Sequence, residues 1–236
     1  MLWEESLGDK YQNQTKYERP DGPNVDRVEL EHPGEMIELP PPDEEAGMGM
    51  WEAIKKRRSL RGFDTGTPMT KAELSQLLWA TQGLTKDDAD ERFRAAPSAG
   101  ALHPLETYLV INRVEGVPRG IARYDVGSSS LHLVAKGDFA EDASAALLEQ
   151  HMAAECGVVF IWVGVPMRNK PKYRDRAHRY IYLDAGHIGA QLHLASEALG
   201  LGCCAIGAFF DEEVNALVGA DGKQMTTVYV SVVGHV

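Results

Sequence analysis

An α+β architecture, a sheet with helices packed against it, is predicted by three observations on the sequence. From Met50 onward, segments of helical and strand periodicity alternate. A hairpin signal, Asp125-Val-Gly-Ser128, joins two of the strand segments. The third is the absence of the glycine fingerprint of a doubly wound dinucleotide fold. Gly200-Leu-Gly202-Cys-Cys-Ala-Ile-Gly207 comes nearest to it, but its spacing is G-x-G-x4-G, and it follows a helix and enters a strand. The 236 residues, 44% hydrophobic and 25% charged, suit one domain with a core or at most two small ones, and no internal repeat divides them.

Residues 1–46 precede this pattern and are set apart by charge. They hold thirteen acidic and four basic side chains, a net −9, so the rest of the chain carries only −2 of the total −11. Pro20, Pro23, Pro33 and the run Pro40-Pro41-Pro42 interrupt regular structure there. Two readings of this arm stand. One is a disordered, self-repelling tail. The other is an extended arm laid over the body or a second subunit, with Leu2, Trp3, Tyr11, Tyr17, Val28, Leu30, Met36, Ile37 and Leu39 as apolar anchors. The body is taken as a single domain over 47–236.

In the body, Met50–Lys56 is predicted as a short helix. Thr70-Lys-Ala-Glu73 is a capping box, and Leu74, Leu77 and Leu78 follow at helical spacing, predicting a helix over 71–82. The β-branched and aromatic run Thr107-Tyr-Leu-Val-Ile111 predicts a buried strand, and 121–124 and 130–134 are the arms of the hairpin. A helix is expected over 139–151, a second buried strand over 157–165, and a long helix over 173–199. In the last, Ala185, Gly186, Gly189 and Ala190 permit close packing, and Gly200 ends it as a C-cap. Strands over 205–209 and 226–234, separated by a helix starting at Asp211, complete the set.

The acidic balance excludes a general phosphate-backbone binder, which needs basic excess to displace counterions, so no nucleic-acid partner is expected. Cys156, Cys203 and Cys204 lack the number and spacing of a disulfide framework or zinc site, and read as buried thiols of a reducing cytosol. The longest apolar stretches, 157–167 and 198–210, are shorter than the ~20 residues of a spanning helix. The amino terminus lacks the layout of a signal peptide. A soluble, cytoplasmic protein without membrane association is expected. His178, His187 and His193 miss the i, i+4 spacing of a helical zinc site, so no metal is expected.

Three segments are candidates for chemistry. Lys55-Lys56-Arg57-Arg58-Ser59-Leu60-Arg61 concentrates five cations in a nearly neutral body. It reads either as a helix end complementing the helix dipole or as an anion site in which guanidinium forks and a hydroxyl receive a terminal phosphate. The small-residue loop Ala96-Pro97-Ser98-Ala99-Gly100-Ala101-Leu102-His103-Pro104 is either an ordinary turn or a backbone that comes close to a flat ligand. Residues 200–207 are either a helix cap with a close-packed strand or a run of N–H groups facing a ligand.

In order and spacing, these segments resemble the FMN-dependent nitroreductase superfamily over most of residues 50–234. Arg57-Arg58-Ser59-Leu60-Arg61-Gly62-Phe63 is similar to its opening R-x-S-x-R/K-x-F signature, 96–104 to its P-S-x-x-x-x-x-P loop, and 199–209 to its late Gly-rich segment. Thr15-Lys16-Tyr17, the run Pro97 to Glu106, and Tyr182-Leu-Asp-Ala-Gly-His187 with Gln191 resemble the SagB-type branch, which includes azoline-oxidising dehydrogenases.

The resemblance implies a mostly antiparallel sheet in an interlocked homodimer with FMN at the subunit interface. It also implies an oxidoreductase running a ping-pong hydride cycle, with NAD(P)H as a candidate electron donor and a small molecule as the other substrate. By position, Arg57 and Ser59 would hold the phosphate, Arg58 would lie along the phosphate and ribityl chain, and Arg61 would reach the N1/O2 edge. Pro97, Ser98, Ala99 and Gly100 would cover one ring face from the partner, and Ile206, Gly207 and Ala208 would bring backbone N–H groups near N5. Relatives carry a late Lys or Arg at the phosphate; with none after Gly234 here, Arg57, Arg58 and Ser59 are expected to hold it alone. Azoline-oxidising relatives have a catalytic Lys-Tyr pair, and Lys172-Tyr173 stands in a comparable region, as that pair or as a solvated loop. Oxidation of thiazoline or oxazoline rings in modified peptides is therefore one alternative activity, and a non-catalytic flavin-binding redox module another.

Overall fold

Side chains alternate across a strand, so a strand that is apolar on both faces must be covered on both. The structure, a computed structural model, describes residues 7–14, 34–87 and 92–236. Thr15, Lys16 and Tyr17, and the anchors Leu2, Trp3, Val28 and Leu30, lie outside the described residues. In chain order the elements are α1 (Leu7–Gln14), β1 (Glu35–Glu38), α2 (Met50–Lys56), α3 (Lys71–Gln82), β2 (Leu84–Asp87), β3 (Arg92–Arg94), β4 (Leu105–Ile111), β5 (Gly120–Asp125) and β6 (Ser130–Lys136). They continue with α4 (Ala140–Ala146), α5 (Met152–Glu155), β7 (Val158–Gly164), α6 (Lys170–Tyr173), α7 (Ala177–Ala198), β8 (Gly202–Ile206), α8 (Asp211–Val218) and β9 (Thr226–Gly234).

The main sheet runs β1-β6-β5-β4-β7-β9-β8. Every neighbouring pair is antiparallel. β4 and β7 form its centre because they are apolar on both sides. Leu109 and Ile111 of β4, with Phe160 and Trp162 of β7, meet α3 and α7 through Leu74, Leu77, Leu78, Ile181, Ile188 and Leu192. Val110, Val159, Ile161 and Val163 face the other way, onto Ala143, Ala146, Met152, Val214 and Val218 of α4, α5 and α8. The predicted α+β sheet with packed helices is thus a three-layer stack. Thr70 and Glu73 close the start of α3 reciprocally, Glu73 N donating to Thr70 Oγ1 at 3.1 Å and Thr70 N to Glu73 Oε2 at 2.7 Å.

Four expectations are corrected. The helix over 139–151 stops at Ala146, because Leu148 and Glu149 adopt left-handed φ of 60° and 57°. Gln150 Nε2 caps the break on Leu147 O at 2.7 Å, and the chain restarts as α5 so that Met152 and Ala153 reach the core. The long helix begins at Ala177 instead of 173, since Arg174 at φ 51° separates α6 from it. The late strand is 202–206, not 205–209. Its register with β9 runs from Gly202↔Gly234 to Ile206↔Val230, after which the chain leaves the sheet and Phe210 N bonds Ala146 O at 2.9 Å. The buried strand expected from 107 begins at Leu105. Gly200 ends α7 with φ 74°, a left-handed position that suits glycine.

The described parts of the acidic segment touch the body. β1 pairs with β6 at one sheet edge. Ser75 Oγ donates to Pro40 O at 2.5 Å, and Asp43 N to Gln76 Oε1 at 2.7 Å. Arg179 N at the start of α7 donates to Tyr11 Oη at 2.8 Å. The three cysteines are free and buried, and burial pushes the Cys156 and Cys203 thiols up to about 12. Such thiols stay protonated and are poor nucleophiles.

Candidate functional site

The cationic segment leaves α2 at Arg57, whose φ of −44° and ψ of 123° turn the chain out of the helix. It then runs along the free side of β8. Ser59 forms a parallel bridge with Cys203, Leu60 N donates to Cys203 O at 3.0 Å, and the buried Phe63 anchors the segment in the core. The cations differ in what they contact. Arg58 folds back, its Nη1 donating to the carbonyls of Lys55, Lys56 and Arg57 at 3.1, 3.4 and 2.8 Å. Lys56 pairs with Glu52 at 2.6 Å. These two serve the helix end. Arg57 and Arg61 form no ion pair among the described residues. The charge of Arg57 reaches His193 on α7, whose imidazole is held below its ordinary value by burial first and by Arg57 second.

Ile206 closes β8 as a buried residue, while Gly207 and Ala208 beyond it are exposed. No atom lies within 4 Å of where a Cβ on Gly207 would stand, so this backbone faces open space. Segments 57–61 and 206–208 therefore flank one strand.

The 97–104 loop enters β4 elsewhere. Gly100, Ala101 and His103 have left-handed φ of 63°, 54° and 46°. For the two non-glycine residues this costs about 1–2 kcal/mol each, so other contacts must hold the loop. Ser98 Oγ donates to Asp184 Oδ2 at 2.6 Å, Ala99 N donates to Asp184 Oδ1 at 3.1 Å, and His103 N donates to Ser98 Oγ at 2.9 Å. Asp184 lies on α7 and is almost fully buried; burial raises its carboxyl against the lowering effect of those two hydrogen bonds. A cleft lined by Gln82, Pro97, Ser98, His103, Asp184 and Ile188 opens at this loop.

Lys172 and Tyr173, at the end of α6, come to the same loop. A Cβ on Gly100 would lie 2.7 Å from both Lys172 Nζ and Tyr173 Oη, so any side chain there would have to displace them. The Tyr173 ring packs on Tyr180 with centroids 4.3 Å apart. Burial, Tyr180 and Asp184, in that order, raise the Tyr173 phenol above its ordinary value.

Within one chain the candidate residues thus form two groups, 57–61 with 206–208 and 97–100 with 172–173. The sheet order separates β8 from β4 by three strand spacings, about 14 Å. Met50, Trp51 and Ile54 on α2 and Tyr182 and Leu183 on α7 are exposed, Trp51 at 80%.

A profile described as the nitroreductase family matches residues 54–235. A Methanocaldococcus jannaschii protein assigned as a nitroreductase is 33% identical over 186 residues, 78% of this chain and 91% of that protein. The chain belongs to the nitroreductase family. It is accordingly an oxidoreductase. The crystal structure of an Anabaena variabilis protein assigned as a nitroreductase is 27% identical and aligns over 79% of this chain with a TM-score of 0.69; the alignment spans 38% of that protein's chain. A chain of the E. coli microcin synthetase McbBCD complex shares the fold, with a TM-score of 0.65 at 17% identity over 100% of this chain and 84% of that one.

In this nitroreductase-family chain the structure gives contacts to two residues that the sequence carried only inside longer motifs, without a role. Glu106 on β4 is buried with Arg123 and Arg168, at 2.8 Å and 2.5 Å. Burial alone would raise its carboxyl, but the two guanidinium groups outweigh it and hold the group below the usual range. Arg168 also donates to His103 O at 3.1 Å, fastening the far end of the 97–104 loop. Asp184 had a visible signal, a carboxylate in the apolar stripe of Ile181, Ala185 and Ile188, where charge needs a partner. Among the described residues no group of three or more His, Cys, Asp or Glu could hold a metal ion, and no helix is long and apolar enough to cross a membrane.

Proposed function

We propose that this chain is an FMN-dependent oxidoreductase acting as a homodimer, moving hydride in a ping-pong cycle from an NAD(P)H-type donor to a small organic acceptor. The observation that carries the proposal is the seating of the cationic segment on β8, with Arg57 and Arg61 outside any ion pair among the described residues and Gly207 open at the strand's far end. When bound, FMN supplies the two-electron chemistry, and its reduced ring gains negative charge along the N1/O2 edge.

The donor set suits such a ligand. Arg57 and Ser59 hold the phosphate as fork and hydroxyl, and Arg58 flanks it from the helix end that it closes. Arg61 is the cation for the N1/O2 edge, and the backbone beside Ile206, Gly207 and Ala208 supplies donors toward N5. Pro97, Ser98, Ala99 and Gly100 of the partner subunit cover one face. The separation of the two groups within one chain, and the exposed apolar residues of α2 and α7, support a second copy completing the site. Three free, buried thiols accord with a reducing, cytoplasmic setting.

Purified protein should show visible flavin absorbance or acquire it with added FMN, and should turn over NAD(P)H with a quinone or nitroarene. Colourless protein that takes up no FMN would overturn the proposal.

The convergence of Lys172 Nζ and Tyr173 Oη on Gly100 favours a second reading, the SagB-type oxidation of thiazoline or oxazoline rings in modified peptides. In it Lys172 accepts the proton lost from a ring C–H and Tyr173 orients the ring. Turnover of an azoline-containing peptide by wild type and its loss in Lys172→Ala, with NAD(P)H turnover kept, would select this reading over the first.

A further inference from the structure

The 97–104 loop makes few hydrogen bonds of its own, Ala101 N to Ser98 O at 3.0 Å and Leu102 N to Ala99 O at 3.4 Å. Three of its residues nevertheless hold left-handed φ. Charged groups on other elements fasten it at both ends. Arg168 donates to His103 O at one end. At the other, Asp184 takes two hydrogen bonds, from Ser98 Oγ and Ala99 N, and Ser98 in turn receives His103 N. Asp184 is only 3% exposed, between the apolar Ile181, Ala185 and Ile188 of its helix. A carboxylate there is costly unless its oxygens are satisfied, and an apolar residue would pack without that cost. What the carboxylate achieves is therefore local: it fixes the loop.

We infer that Asp184 is a positioning residue of the site: its carboxylate holds the 98–103 loop so that Gly100 presents a face bare of side chain to Lys172 Nζ and Tyr173 Oη, setting the spacing of that pair. The inference deepens the reading of Lys172 and Tyr173 as a working pair. The groups around them are few. Tyr173 faces Tyr180 and Asp184 of α7, with Lys172 Nζ 5.5 Å from its ring. Asp184 faces Ser98, Ala99 and, along its own helix, His187. Charge on Asp184 thus bears on the Tyr173 phenol as well as on the loop.

The test compares full-length wild type with Asp184→Asn, Asp184→Glu and Ser98→Ala by two measurements made without added cofactor. One is amide hydrogen exchange of the segment 96–104. The other is the ultraviolet titration of the Tyr173 phenol, assigned by difference from Tyr173→Phe. In Asp184→Asn, exchange at Ala99 should rise about tenfold, the loss expected for one hydrogen bond to a charged acceptor. Its phenol titration should move to lower pH, because a negative neighbour has gone. Asp184→Glu should return the titration toward wild type. Ser98→Ala, which keeps the charge, should speed loop exchange and leave the phenol where it was. Unchanged exchange over 96–104 together with an unchanged phenol titration in Asp184→Asn would overturn the inference, as would a purely global loss of protection with no effect centred on the loop. Failure of wild type to take up FMN would refute the cofactor proposal alone, since neither measurement depends on it.

Discussion

Glu106 and Arg168 meet as a buried ion pair 2.5 Å apart, and Arg123 takes the other carboxylate oxygen at 2.8 Å. The pair joins β4 to the turn that follows β7, and Arg168 carries the connection on to His103 O. One carboxylate thereby bridges two guanidinium groups between the sheet and the candidate site.

Replacing Glu106 with Gln should therefore destabilise the protein by about 3–5 kcal/mol, because two buried guanidinium groups lose their counter-charge. The folded carboxyl is held below its unfolded value. Its contribution is present above the unfolded glutamate value of about 4.3 and is lost as pH falls through the lower folded value. Urea unfolding at a series of pH values checks both points: the midpoint of Glu106→Gln should lie well below wild type at neutral pH, and the gap should close on acidification.

Gly100→Ala should be harmful beyond its size. A φ of 63° costs an L residue about 1–2 kcal/mol, a fall in melting temperature of roughly 2–8 °C for a chain of this length. The new Cβ would also press on Lys172 Nζ and Tyr173 Oη. Both are ends of flexible side chains, so the protein should fold while the pair is displaced. Melting curves measured beside turnover should show a modest stability loss and a larger loss of rate.

The cationic segment predicts a contrast between neighbours. Arg57→Ala should weaken FMN uptake by about tenfold to a hundredfold, the effect of losing one charge-assisted fork. Arg58→Ala should act chiefly on α2, whose terminal carbonyls it holds, lowering stability by about 0.3–1 kcal/mol with a smaller effect on uptake. Fluorescence titration of cofactor-free protein with FMN, beside thermal melting, separates the two. Equal uptake by wild type and Arg57→Ala would contradict the phosphate assignment.

What was legible in the sequence follows from where the determinants lie. β7 and the second half of β4 could be read directly because both faces are buried and the runs 158–163 and 108–111 are unbroken, whereas Glu106 and Thr107 interrupt the pattern where β4 begins. α3 could be read because Thr70 and Glu73 are three residues apart and complete their cap locally. β1, Glu-Met-Ile-Glu, carries no such pattern; it is a strand because its backbone pairs with β6. The breaks at 148–149 and at Arg174 are left-handed turns made without glycine, so nothing in the composition marks them. The candidate site divides the same way. Lys172 and Tyr173 could be picked out as a dipeptide, but their meeting with Gly100, and the Asp184–Ser98 contact across 86 positions, exist only once the fold is formed.

Trp51 and Ile54, on the exposed side of α2, provide the last test. An exposed tryptophan beside Met50 and Ile54 suits an interface with a second copy, and buried tryptophans dominate interface energetics. Trp51→Glu should weaken the proposed dimer by about 2 kcal/mol or more, raising its dissociation constant about thirtyfold. Because Arg57 and the 97–100 loop stand on different parts of one chain, FMN affinity should fall together with dimer content, although Trp51 belongs to neither group. Sedimentation and FMN titration over the same range of protein concentration would show the two curves moving together. A Trp51→Glu protein found as single chains that bind FMN as tightly as wild type would show instead that one chain completes the site.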